Sequence, residues 1–164
     1  MSAANMDDLV AIAGRIGERL KARGETVAVA ESSAGGLISA ALLAVPGASA
    51  YFISGGVVYT AKARVLLMGI ERAQVEGMRS ASEPYAGLLA RTARERFSTT
   101  WGLSETGAAG PQGNPYGDAA GHTCIAVSGP VEFALTVETG SSDRLGNMYA
   151  FTGEALELFE RALA

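Results

Sequence analysis

Long apolar runs are absent from this chain of 164 residues. No stretch approaches the ~20 consecutive apolar residues that a membrane-spanning helix needs. The N-terminus has neither the basic region nor the apolar segment of a secretory signal, so a cytoplasmic protein without a membrane partner is expected. Cysteine is almost absent too. The lone Cys124 excludes an internal disulfide, and its place in the apolar run from His122 to Val127 reads as a buried thiol rather than a reactive one. The one histidine, His122, opens that run with no acid or nucleophile patterned around it, which favours a structural role over a catalytic triad. No cluster of His, Cys, Asp and Glu has metal-ligand spacing, and neither a G-x-x-x-x-G-K-[ST] phosphate loop nor a G-x-G-x-x-G fingerprint is present. No metal and no cofactor are therefore expected. An excess of positive charge is missing as well: 13 basic against 17 acidic side chains leave a net charge of −4. That balance excludes a general nucleic-acid footprint, and a small anionic ligand would need a local basic pocket.

Glycine, by contrast, is abundant. Its 21 residues are dispersed through turn positions without a period, which predicts tight turns and close ligand approach rather than a fibrous repeat. An apolar fraction of 48% supplies a core of ordinary size, and residues 1–164 read as one domain with no linker or repeat.

The apolar periodicity predicts a helix from Met6 to Leu20, capped by Asn5 and ended by Arg23-Gly24. A buried strand from Thr26 to Glu31 follows, then a helix from about Ala34 to Ala44 that stops at Pro46-Gly47. Tyr51 to Tyr59 reads as a second strand with a bulge or close backbone contact at Gly55-Gly56. Thr60 caps a short helix through Met68, and Ser82-Glu83-Pro84 opens another that runs to Phe97. Trp101 to Thr106 is a strand, Gly107 to Gly117 a Gly- and Pro-rich loop, and Gly121–Ser128 with Val131–Glu138 a hairpin around Gly129-Pro130. A helix from Ser142 to Ala162 closes the chain. This order predicts an α/β fold, a three-layer α/β/α sandwich on a mixed sheet of about five strands.

The segment Glu31-Ser32-Ser33-Ala34-Gly35-Gly36 places a hydroxyl at a strand-to-helix turn. There the free N–H groups and positive end of the following helix can stabilise an oxyanion, a phosphate or a carboxylate.

Six ordered blocks extend that signal: Ala30 to Gly36, Val45-Pro46-Gly47-Ala48-Ser49, Phe52 to Thr60, Ala81-Ser82-Glu83-Pro84, Thr106 to Gly113, and Ser142-Asp143-Arg144. In these the chain resembles the CinA C-terminal domain family, the nicotinamide-nucleotide amidases, whose blocks read A-E-S-C-T-G-G, V-P-G-[SA]-S, F-x-x-G-x-V-x-Y-[ST], V-S-E-P, [ST]-G-I-A-G-P-x-G and G-D-R. The resemblance implies the same three-layer architecture. It also implies a small pyridine nucleotide as partner and hydrolysis of the carboxamide of nicotinamide mononucleotide, giving nicotinate mononucleotide and ammonia. Carried over position by position, the family's serine nucleophile falls on Ser32, its tyrosine on Tyr59 and its G-D-R arginine on Arg144. Ser33, Gly35, Gly36, Thr106, Gly107 and Gly110 fall in the blocks expected to contact substrate. For oligomeric state, a symmetric homo-oligomer is the default expectation.

The family's lysine, five residues after the tyrosine, falls on Arg64. A desolvated lysine can lose its proton and act as a base, whereas arginine keeps its charge, so Arg64 is suited to binding an anion or orienting a hydroxyl. Lys62 points about 200° away on the same helix and does not replace it. Ser33 and Ala34 stand where the family has cysteine and threonine, and Ser142 replaces the glycine of G-D-R. Two functional readings follow: an amidase with an arginine-containing site, or a catalytically silent relative that binds a nucleotide. Each residue also has a structural reading: Ser32 as a helix cap, Tyr59 as a strand-end core residue, Arg64 paired with Glu71, and Arg144 paired with Asp143.

Overall fold

A computed structural model describes residues 3–164. Five strands form one sheet in the order β2-β1-β3-β4-β5: β1 (Val27–Glu31), β2 (Phe52–Val57), β3 (Trp101–Ala108), β4 (His122–Ser128) and β5 (Phe133–Glu138). β1 pairs in parallel with both β2 and β3, while β3, β4 and β5 are antiparallel. The mixed sheet follows from the connections: helical crossovers separate the parallel strands, and the short Gly129-Pro130 link leaves room only for a hairpin.

Among the described residues five α-helices cover the sheet: α1 (Met6–Arg23), α2 (Leu37–Leu43), α3 (Ala61–Met68), α4 (Glu83–Phe97) and α5 (Arg144–Ala162). β1 is buried along its whole length, so its alternate side chains serve two cores. Val27 and Val29 join Leu103, Ile125 and Val127 against α1, α2 and α5. Ala28 and Ala30 face Met68, Tyr85, Leu89 and Ala93 of α3 and α4. The second face is built from small residues, which lets α4 lie close. A Cβ at Gly102 would overlap the carbonyl oxygen of Ala90, and the Ser104 hydroxyl donates to the Ala86 carbonyl at 2.6 Å. On the other face Trp101 and Phe159 meet edge to face with centroids 5.7 Å apart; burying side chains of this size contributes about 1.5–3 kcal/mol each.

Locally encoded boundaries fall close to the sequence reading. Asn5 caps α1 by accepting the Asp8 N–H at 3.0 Å, and Gly24 ends it at φ 65°. Thr60 caps α3 by accepting the Ala63 N–H at 3.1 Å, Gly69 ends it at φ 66°, and α4 runs from Glu83 to Phe97 behind its Ser82 cap.

Other boundaries differ. α2 begins at Leu37 rather than Ala34, because residues 33–36 form turns held by long-range hydrogen bonds. The bulge in β2 is at Ile53, the residue skipped where Phe52 pairs with Val27 and Ser54 with Ala28. Gly55 instead makes the close contact, since a Cβ there would overlap the Ser39 hydroxyl. The Gly-rich loop starts after Ala108, because β4 pairs with β3 through Gly107 and Ala108. α5 starts at Arg144, where the Asp143 carboxylate accepts the Gly146 N–H at 3.2 Å. Among the described residues no helix is long and apolar enough to cross a membrane.

Candidate active site

β1 lies between β2 and β3 in the sheet, and the chain runs from β1 outward to β2 and then back across β1 to β3. In parallel arrangements of this kind, ligands bind outside the carboxyl ends of the strands where the winding direction switches. A cavity of about 350 Å³ lies there, within the size range of small-molecule sites. Ser32 lines it from the end of β1, Val58–Thr60 from the end of β2, and Thr106–Gly107 from the end of β3. Ala61 and Arg64 of α3, Ser80, Ala81, Tyr85 of α4 and the loop Asn114–Tyr116 complete the wall.

Two buried carboxylates shape the Ser32 turn. Glu31 is fully buried; its Oε1 accepts the N–H groups of Gly36 at 2.7 Å and Ile38 at 3.1 Å, and its Oε2 accepts the N–H and the hydroxyl of Ser39, both at 2.9 Å. Glu105, also fully buried, accepts the N–H groups of Ser32 at 3.1 Å and Ala34 at 2.8 Å on Oε1. Its Oε2 accepts the hydroxyls of Ser33 and of Thr123. Burial pushes the Glu105 carboxyl above its ordinary range, and the hydrogen bonds from Ser33, Ala34, Thr123 and Ser32 oppose that rise.

These contacts correct the expectation of an open helix end. The N–H groups of Ala34 and Gly36 are taken by Glu105 and Glu31, and that of Gly35 by the Ser32 carbonyl. The chain's own carboxylate thus fills the anion site at the start of α2. Ser33 N–H alone between 32 and 36 has no hydrogen-bond partner among the described residues. Ser32 is half-buried, its hydroxyl has no partner among the described residues, and it does not cap α2, whose N-cap is Gly36.

The Tyr59 phenol stands at the cavity rim and accepts Arg144 Nη2 at 3.3 Å. Arg144 Nη1 donates to the Gly110 carbonyl. Arg144 therefore ties the Gly-rich loop to Tyr59, and Asp143 is occupied in capping α5 rather than pairing with it. Arg64 Nε donates to the Ile70 carbonyl at 3.2 Å; no ion pair with Glu71 forms among the described residues.

Of the residues singled out by sequence, Ser32, Tyr59, Arg64, Thr106 and Gly107 share the cavity wall, and Arg144 reaches it through Tyr59. Ser33, Gly35, Gly36 and Gly110 are outside the lining. Ser33 is buried against Glu105, and Gly110 contributes its carbonyl to Arg144. Tyr85 and the Asn114–Tyr116 wall were not singled out. Tyr85 sits on the apolar stripe of a helix and reads as core, and Asn114–Tyr116 belong to the Gly107–Gly117 loop that the sequence offers as a backbone cradle for a ligand, with nothing to mark these three residues individually.

The profile of the CinA C-terminal domain matches residues 9–163. The chain belongs to the CinA C-terminal domain family. CinA-like proteins of Desulforapulum autotrophicum and Anaeromyxobacter sp. (strain K) are 36% and 39% identical over 86% and 88% of this chain. The chain spans about a third of the length of these curated relatives, 34% and 36%. Among solved structures, the competence/damage inducible protein CihA from Agrobacterium tumefaciens superposes with a TM-score of 0.87 at 28% identity, covering 95% of each chain. A CinA superfamily protein from Escherichia coli superposes with a TM-score of 0.88 at 23% identity, covering 98% of this chain and 94% of its own, and shares the fold. Within this CinA domain His122 is structural. It is buried, its Nε2 lies 2.8 Å from the Ala81 carbonyl, and its Nδ1 faces the Glu138 carboxylate.

Proposed function

We propose that this protein hydrolyses the carboxamide of nicotinamide mononucleotide, releasing ammonia and nicotinate mononucleotide. The observation that carries the reading is the gathering of an unpartnered Ser32 hydroxyl, the Tyr59–Arg144 pair and Arg64 around one cavity at the switch point of the sheet.

In this reading Ser32 Oγ attacks the carboxamide carbon. The Arg144 guanidinium donates to the Tyr59 oxygen, which leaves the phenol's own proton directed elsewhere and makes Tyr59 the group that relays the serine proton to the leaving nitrogen. The oxyanion needs a donor already in place, and the Ser33 N–H, next to the nucleophile and otherwise unused, supplies one. The C–N bond breaks, ammonia leaves, and water releases the acyl group from Ser32. The test is ammonia release from nicotinamide mononucleotide by the purified protein and by Ser32→Ala. Turnover that disappears in Ser32→Ala, with its melting temperature unchanged, is expected; turnover that survives it overturns the assignment of the nucleophile.

A specific observation favours a second reading. Arg64 keeps its charge where the resembled family has a lysine able to lose its proton, so a silent nucleotide-binding relative would have this site. Binding of the nucleotide without turnover, together with hydrolysis gained in Arg64→Lys, would establish it.

A further inference from the structure

The two arginines at the site are not equivalent. Arg144 is engaged at both ends of its fork, by the Gly110 carbonyl and the Tyr59 oxygen. Arg64 is anchored only through Nε on the Ile70 carbonyl, and both Nη groups are without a partner among the described residues. A guanidinium held by one nitrogen with two others free is preorganised for a tetrahedral oxyanion.

Tyr85 is an independent observation. Its side chain belongs to the core beneath α4 and is only 8% exposed, yet it lines the cavity and its hydroxyl has no hydrogen-bond partner among the described residues. The ring is buried while the unpartnered hydroxyl itself stays accessible, and the cavity that Tyr85 lines is where a ligand can supply its partner. The charge of Arg64 reaches it: burial raises the Tyr85 phenol above its ordinary value, and Arg64 is the opposing influence. α3, whose first residue Ala61 lines the same cavity, adds the N–H groups of Ala61 and Lys62. These have no acceptor among the described residues, whereas those of Ala63 and Arg64 are taken by Thr60.

We propose that the Arg64 guanidinium, the Tyr85 hydroxyl and the N-terminus of α3 form a phosphomonoester subsite, with Tyr85 as a specificity-determining residue. This rests on the nucleotide reading above and assigns the phosphate to Arg64 rather than Arg144. The phosphate is held between the free Nη groups and the phenol, while Arg144 stays with Tyr59 at the reacting end. Arg64 is thus a binding residue, consistent with its permanent charge.

Calorimetric titration of the wild type, Tyr85→Phe and Arg64→Gln tests this with three probes: nicotinamide mononucleotide, the corresponding nucleoside without phosphate, and ribose 5-phosphate. Removing one hydrogen bond to a charged group is expected to weaken both phosphorylated probes about 10-fold in Tyr85→Phe. The loss should be larger in Arg64→Gln, and the nucleoside should bind all three proteins equally. Ribose 5-phosphate that binds and weakens in the variants upholds the subsite even if no amide is hydrolysed, so failure of the amidase reading remains separate. Equal affinity of wild type and Tyr85→Phe for the phosphorylated probes, equal loss for the nucleoside, or no binding of any phosphorylated probe to the wild type overturns the proposal.

Discussion

Glu31→Gln is expected to destabilise the protein far more than Glu105→Gln, although both replace a fully buried carboxylate with its isostere. At Glu31 each oxygen receives at least one backbone N–H: Gly36 and Ile38 on Oε1, Ser39 on Oε2. Whichever way the amide is turned, its NH2 meets a backbone donor that cannot reverse. The cost is the loss of charge-assisted hydrogen bonds plus a buried donor left without an acceptor, together about 3–5 kcal/mol. At Glu105 only Oε1 receives backbone N–H groups, while Oε2 receives two hydroxyls. The amide nitrogen can occupy the hydroxyl side, because the Thr123 hydroxyl can turn wholly to the Thr106 carbonyl, already 3.1 Å away, and accept in return. Burial also pushes the Glu105 carboxyl toward its uncharged form. The cost there is about 1–2 kcal/mol. At about 2–4 °C per kcal/mol for a chain of this size, Glu31→Gln should melt roughly 2–16 °C below Glu105→Gln, and its urea midpoint should fall with the slope unchanged. Equal melting temperatures, or the reverse order, would refute the donor accounting.

Two further outcomes are expected. Gly102→Ala places a Cβ on the Ala90 carbonyl oxygen, a backbone atom that no rotamer change relieves, so a loss of about 1–3 kcal/mol in chemical unfolding is expected; a melting temperature at or above wild type would show that α4 does not sit this close. For His122, burial lowers the imidazole's proton affinity, but the Glu138 carboxylate, the Ala81 carbonyl and the nearby Asp118 outweigh it and leave the folded value raised. The stability from the charged ring is therefore complete below the unfolded value of about 6.5 and is lost as pH rises through the folded value above it. A pH series of urea midpoints should show this alkaline decline in wild type and not in His122→Gln, and matching profiles would remove the charged brace from the account.

Elements whose ends are set by neighbouring residues were legible in the sequence. Asn5 and Gly24, Thr60 and Gly69, and Ser82 before Pro84 each encode a boundary within one turn of the helix they end. The start of α2 was not, because Glu105, 71 residues from Ala34, holds the turn before it. Composition cannot reveal a carboxylate arriving from another strand. The same contact explains the candidate site. Ser32, Tyr59 and Arg64 follow strand ends that the parallel pairing brings together, whereas the Ser33 hydroxyl and the Gly36 N–H look available in the sequence and are spent internally. Tyr85 escaped notice for the opposite reason, since an aromatic at helical spacing reads as core until its hydroxyl is found facing a cavity.

The carboxylates that brace the Ser32 turn also bear on how such a site empties. Ordering backbone costs about 1–2 kcal/mol per residue, and here that cost is met when the chain folds, so an arriving ligand does not have to set the turn. An amidase turns a neutral carboxamide into an anion beside its nucleophile. With Glu31 already occupying the start of α2, an anion formed at such a turn finds no free helix end there to hold it.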